Sequence, residues 1–342
     1  MSKILKLKWR QIFGIILLVA VVTLLYRYRS EIKYSVDLTK QIRPFYLFFI
    51  LMAQFFTYLA DALIIKKLFE IFNKAKQVSF GDFFQVAVVM KFINNALPSA
   101  GVSGSSFLVD FFHQKSVKNG QAIVASSIFY LFYVLSFFLF LLFSLTYLFL
   151  RGGLGTSYLI SGIISAVIFV VLLILLFFIL KDGVHFFSFL GKIIIKINDF
   201  IARWHKKKEI SSNLLKFFKE MATGKKLIAQ DKRELINPFI NSLFFNFFNY
   251  LTIYFIFLGF GSSLSIEKII CGASIAGLAS FITFLPMGMG VYETTMAMSY
   301  YSFGVPLDLS ILVTLVFRFF SLWLPLPVGI IMYHRLGRRK SS

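Results

Sequence analysis

The chain has 342 residues, of which 58% are hydrophobic and only 15% charged, and its mean hydropathy is +0.80. Soluble domains carry roughly 45–50% apolar and about 25% charged residues, so most of this chain is built for lipid. The formal net charge of +21 would point to nucleic acid in a soluble protein. Here the basic residues stand between oily segments, which excludes nucleic acid in favour of membrane topology and anionic headgroups.

A transmembrane helix needs about 20 apolar residues. The first candidate, roughly 10–26, follows Lys3, Lys6, Lys8 and Arg10, and leads into "RYRSEIK" rather than a small-residue cleavage site. It reads as a retained signal anchor. Five further spans follow at about 44–65, 120–150, 157–180, 237–260 and 307–333. Two other apolar stretches are broken: 80–112 by "PSAGVSGSS" and 266–303 by "PMGMG". The fold class is therefore an all-α polytopic membrane protein with about six full spans and two broken, re-entrant helical hairpins. Residues 1–342 form one membrane domain, with halves at about 1–180 and 237–335 joined by the basic segment 181–236.

Lysines and arginines set the orientation. Four precede the first span; Lys66, Lys67, Lys74 and Lys76 follow the second; 181–236 holds thirteen basic and six acidic residues; Arg335, Arg338, Arg339 and Lys340 close the chain. All fall on one side when the two broken segments return to the side they enter from, giving a cell-membrane protein with both termini in the cytoplasm. The loop at 27–43, with five basic and two acidic residues, is the exception. The segment 181–236 is expected to be a solvated cytoplasmic connection.

The two breaks resemble each other. "NNALPSAGVSG" (94–104) and "ITFLPMGMGVYE" (282–293) both carry Leu-Pro followed by two glycines. Pro98 and Pro286 lack the N–H that would continue a helix. Gly101, Gly104, Gly288 and Gly290 permit positive φ and close backbone approach. Matched breaks of opposite orientation in two halves predict an inverted repeat with a polar pocket between them. Helix N-termini facing that pocket suit an anion.

Lys91, Asp110, Glu293 and Arg318 lie in apolar surroundings, where a charge needs a partner or water. The expected ion pairs are Glu293 with Arg318 and Lys91 with Asp110. Asp61 and Asp82, near span ends, read as interfacial. Asn94 and Asn95, just before Pro98, are pocket candidates, whereas the stripe Asn237, Asn241, Asn246 and Asn249 reads as helix–helix glue. Cys271 is alone and reads as a packing residue. The four histidines show no metal spacing, and neither a Walker A pattern nor a hydrolase elbow is present. No cofactor and no metal are expected, and any transport is downhill, ion-coupled or driven by a partner.

"NNALPSAGVSG", "LPMGMGVYE" and the span "GVPLDLSILVTLVFRFFSLWLPLPVG" resemble the transmembrane domain of lysylphosphatidylglycerol synthases, a flippase-like family, over roughly 10–335. The resemblance implies a lipid-translocating fold with re-entrant helices, and carries Pro286, Gly288, Gly290, Glu293 and Arg318 over as the second motif. In the bifunctional relatives a separate soluble domain performs aminoacyl transfer from tRNA. This chain runs about nine residues past its last span, so a stand-alone member without intrinsic catalysis is expected. Where relatives carry an acidic and a basic residue after the first break, this chain reads "VSGSSFLVDFF", with Asp110 and no arginine. An aminoacylated substrate is thus not implied.

The leading expectation is a lipid flippase that binds a phospholipid headgroup, anionic or aminoacylated, through Arg318, Glu293, Lys91, Asn94, Asn95 and Asp110. The alternatives are the membrane subunit of an envelope-lipid-modifying transferase and a non-transporting scaffold. Expected partners are the membrane, the phospholipid, and a second copy of the chain or a transferase.

Overall fold

A computed structural model describes residues 26–73, 78–97, 102–152, 156–181, 232–283 and 288–338, together with Val19, Val22 and Thr23. The first expected span, the basic residues 182–231, and Pro98, Gly101 and Pro286 of the breaks lie outside the described residues. Regular structure among the described residues is all helical. In chain order the helices are α1 (Arg29–Thr39), α2 (Pro44–Phe72), α3 (Phe80–Ala96), α4 (Val102–Gln114), α5 (Asn119–Leu150) and α6 (Thr156–Lys181). They continue with α7 (Ile236–Gly259), α8 (Ile266–Thr283), α9 (Val291–Ser302), α10 (Leu307–Arg318), a π-helical turn (Phe319–Trp323) and α11 (Pro325–Arg338).

Four helical segments among the described residues are long and apolar enough to cross a membrane: Pro44–Phe72, Asn119–Leu150, Arg233–Gly259 and Leu307–Leu336. These match four expected spans, and α6 occupies a fifth. α2 runs past the expected end at residue 65 because its last turns are amphiphilic. There Lys66 and Lys67 pair with Glu70 at 3.7 and 3.0 Å, helix spacings that a membrane surface tolerates.

The stretch 27–43, expected to be a loop, contains α1 instead. Ser35 and Leu38 are buried, and Ile32 packs inward with Tyr28, while Lys33, Tyr34, Asp37 and Lys40 face out. One face thus joins the protein against α10 and the π turn, which is why five basic residues are accommodated there.

Both broken segments are hairpins. α3 starts and α4 finishes at the end where α2 stops and α5 begins; the Asn73 side chain donates to the Lys115 carbonyl at 3.0 Å across that end. α8 and α9 open and close at the other end, where Lys268 Nζ donates to the Phe303 carbonyl at 3.3 Å. The first end carries Lys66, Lys67, Lys115 and Lys118 and is called the basic end below.

Packing repeats with inverted direction. α2 and α7 run antiparallel along each other at the centre. Each packs beside its own hairpin, α3/α4 or α8/α9, and each hairpin leans on the span after it, α5 or α10. The first hairpin also meets α11, as the second meets α5. Even the outer helices correspond, with α1 lying on α10 and α6 on α5. This is the inverted repeat that the matched breaks predict.

Glycines let the elements close. A Cβ on Gly329 of α11 would stand 2.2 Å from the Cβ of Phe92 in α3, and one on Gly272 of α8 would stand 2.5 Å from the Tyr300 ring in α9. Gly329→Ala is expected to lower stability by about 2 kcal/mol through overpacking. Gly162→Ala, whose Cβ meets only Leu145 at 3.6 Å, leaves stability unchanged or raises it. Thermal unfolding of the two variants in detergent checks the contrast.

Candidate functional site

The π turn begins one residue after Arg318, and the sequence explains its position. In a continuous α-helix the Ser321 carbonyl would accept from the N–H of residue 325, but that residue is Pro325 and has none. The helix widens instead, with Leu324 N–H donating to the Phe319 carbonyl at 2.9 Å. The released Ser321 carbonyl accepts from the Asn95 side chain at 3.4 Å. Asn95, the last polar residue before the first break, thereby joins that break to the final span.

Asn94 closes the first hairpin. Its Oδ1 accepts from the Gly104 N–H at 2.9 Å, one of the donors left free in the first turn of α4, and its Nδ2 donates to the Tyr130 hydroxyl of α5 at 3.0 Å. The fit demands glycine, since a Cβ on Gly104 would lie 2.5 Å from Asn94 Oδ1.

The second break is closed by charge. Gly290, at φ +78°, caps α9, and Glu293 reaches back to accept from its N–H at 2.7 Å. Gly288, at φ +63°, lies so close to Ser280 that a Cβ would come within 2.4 Å of it. The other Glu293 oxygen accepts from Arg318 Nε at 2.5 Å. Both side chains are mostly buried, at 11% exposure for Arg318 and 18% for Glu293. The guanidinium also sits 4.9 Å from the centre of the Tyr292 ring, which stacks on Phe317. The expected Glu293–Arg318 pair is thus present.

The expected Lys91–Asp110 pair is not. Asp110 stands four residues from the end of α4, whereas Lys91 stands eleven residues inside α3. At 1.5 Å per residue their depths differ by about 10 Å. Asp110 accepts from Gln114 at 2.5 Å and lines a small cavity at the basic end with Asp82, Lys115 and Leu336. Asp82 lies 3.7 Å from Lys115, at the surface where it was expected.

The neighbour of Lys91 is Asp61. Read from sequence as interfacial, it is 7% exposed and eleven residues from the end of α2, so it and Lys91 lie at one depth, about 16 Å from the basic end. The misreading came from ending that span at residue 65. Lys91 lies 5.7 Å from the Phe245 ring of α7, and its charge acts on those of Asp61 and Arg318. Glu31 of α1 completes the set, since its charge interacts with both Glu293 and Arg318. The interior therefore gathers Lys91 and Arg318 with Asp61 and Glu293, drawn from both repeats, and the half-buried Glu31 lies within range of Arg318 and Glu293.

Of the asparagine stripe, Asn246 joins two helices, while Asn241 bonds within its own. Asn246 donates to Ser136 of α5 at 2.5 Å and to the Ser242 carbonyl at 3.3 Å, and Asn241 donates to the Asn237 carbonyl at 2.9 Å. Cys271 is buried among Phe138, Leu141 and Leu145.

Inverted repeats, paired re-entrant hairpins and a charged interior define an all-α polytopic membrane protein. The family model for the lysylphosphatidylglycerol synthase TM region matches residues 11–329, and the chain belongs to that family. It is 25% identical to a UPF0104 membrane protein of Methanocaldococcus jannaschii over 256 residues, 74% of each chain. A UPF0104 membrane protein of Methanothermobacter thermautotrophicus is 36% identical over 93 residues, 27% of this chain and 28% of that one.

Arg318→Ala strands a mostly buried carboxylate and is expected to cost about 3 kcal/mol of stability. The double variant Glu293→Gln, Arg318→Met keeps an acceptor for Gly290 and removes both charges, so it recovers most of that loss. Unfolding midpoints of the single and double variants, measured in one detergent, decide it.

Proposed function

We propose that this protein moves a phospholipid, or a lipid-linked phosphate headgroup, between membrane leaflets. The observation that carries the reading is the pair of cations, Lys91 and Arg318, each eleven residues inside an apolar helix and within electrostatic range of the other. Cations at that depth are retained for a guest or a relay, because lipid alone gives them no partner. A headgroup would enter between the hairpins while its acyl chains stay in the bilayer.

Roles divide by what each side chain already does. Lys91 meets the phosphate, since no carboxylate lies within 4.0 Å of its nitrogen among the described residues. Arg318 adds positive charge beside the site, and Glu293 orients it. Asn94 and Asn95 hold the pocket walls together rather than touch the lipid, because their amides are engaged within the protein. Asp110 acts at the basic mouth rather than in the pocket.

The test is reconstitution with fluorescent phosphatidylglycerol, followed by chemical quenching of the outer leaflet. Wild type is expected to expose dye beyond the outer-leaflet half. Lys91→Met is expected to slow this about tenfold or more, the worth of one charge-assisted hydrogen bond. The double variant Glu293→Gln, Arg318→Met is expected to stay inactive although stable. Full translocation by that stable variant would reduce the ion pair to scaffolding. Absence of translocation by folded wild type would favour a membrane subunit serving a transferase.

A further inference from the structure

Two acid–base couples stand in the interior, and they are built differently. Glu293 and Arg318 are locked at 2.5 Å, and arginine does not give up its proton in proteins. That couple is fixed. Asp61 and Lys91 sit at one depth on adjacent helices, yet no ion pair within 4.0 Å joins them among the described residues. Asp61 Oδ1 is sealed from solvent and finds no hydrogen-bond partner, and the Tyr58 hydroxyl one turn away finds none either. A permanently ionised carboxylate left so is costly, whereas a carboxyl that takes and releases a proton is not. Lysine, unlike arginine, exchanges its counter-ion readily.

Among the described residues Asp61 has no other ionic partner. From α3 it faces Lys91, and from α5 the phenols of Tyr130 and Tyr133, with Tyr58 on its own helix. α7 packs alongside with no acid or base from Ile236 to Asn249. The short turn before α7 adds Arg233 and Glu234 only at the basic end, and the π turn carries no ionisable group after Arg318.

We infer that Asp61 is a proton-binding site that couples headgroup binding at Lys91 to uptake of one proton, so that lipid phosphate and proton travel together. The inference rests on the translocation reading above and adds its driving force. Charge balance dictates the stoichiometry. In the empty site the Asp61 carboxylate neutralises the Lys91 ammonium. A phosphate diester anion that takes over the ammonium would leave a second anion buried beside it, unless the carboxylate gains a proton from water. Carboxylate, ammonium and no guest become carboxyl, ammonium and phosphate, with the interior charge unchanged. On release the carboxyl returns its proton to water and recovers Lys91.

The probe is dihexanoylphosphatidylglycerol, added to the full chain in detergent. Calorimetry in buffers of different ionisation heat is expected to show about one proton taken up per lipid bound. Infrared difference spectra are expected to show a protonated-carboxyl band on binding. It is lost in Asp61→Asn and returns, displaced, in Asp61→Glu, which also guards against a variant that fails to fold. Binding without proton uptake, or with a carboxyl band that survives in Asp61→Asn, overturns the coupling and leaves translocation standing. A folded protein that neither binds the lipid nor moves it in vesicles overturns both.

Discussion

Backbone groups released inside a bilayer must find partners within the protein, and this constraint organises everything around the two breaks. Pro325 frees the Ser321 carbonyl and Asn95 takes it. The first turn of α4 frees the Gly104 N–H and Asn94 takes it. The start of α9 frees the Gly290 N–H and Glu293 takes it. Asn94 and Glu293 each make a second contact, to Tyr130 and to Arg318, that ties the break to a neighbouring span. The contacts around the breaks are thus the by-product of solving a hydrogen-bonding problem.

The repeats solve that problem with different chemistry. Arg318 is the eleventh residue after the start of α10, and Tyr130 is the eleventh after the start of α5, its counterpart. Glu293 is the third residue of α9, and Gly104 the third of α4. Where the second repeat uses a carboxylate and a guanidinium, the first uses an amide and a phenol. A neutral brace adds no charge beside Lys91, the cation of the first repeat. An ionic brace is stronger and better suited to hold a hairpin whose loop contains two glycines at positive φ. The repeat is symmetric in packing and asymmetric in charge.

Much of this was legible in the sequence. Apolar run length gave the spans, and the two Leu-Pro-Gly-Gly breaks gave the hairpins and their inverted relation. Glu293 and Arg318 could be paired because each was the conspicuous charge in its own apolar stretch. Asp61 was missed because hydropathy ended α2 at Lys66, although the spacing of Lys66, Lys67 and Glu70 marks a continuing helix. α1 was missed because its polar face outweighs its buried one in composition. The partner of Lys91 was misassigned because nearness along the chain favoured Asp110, whereas depth along antiparallel helices decides which charges meet. The basic segment suggested a division at 181–236, but packing makes α6 the counterpart of α1. Chain order alone does not display that correspondence, since the two outer helices are unlike in length and polarity.

Depth also explains why the interior charges are few and placed as they are. Asp61 and Lys91 lie about 16 Å from the basic end, and Arg318 about the same distance from the other. In a hydrocarbon core of about 30 Å both levels fall near the middle, within electrostatic range of each other across the line between repeats. Two cations within range of each other repel unless anions stand beside them, and Glu293 stands at Arg318 as Asp61 neighbours Lys91. One anion is held by two hydrogen bonds and the other, at Oδ1, by none. The difference in how firmly the two carboxylates are held is why the exchange proposed above falls to Lys91 rather than to Arg318.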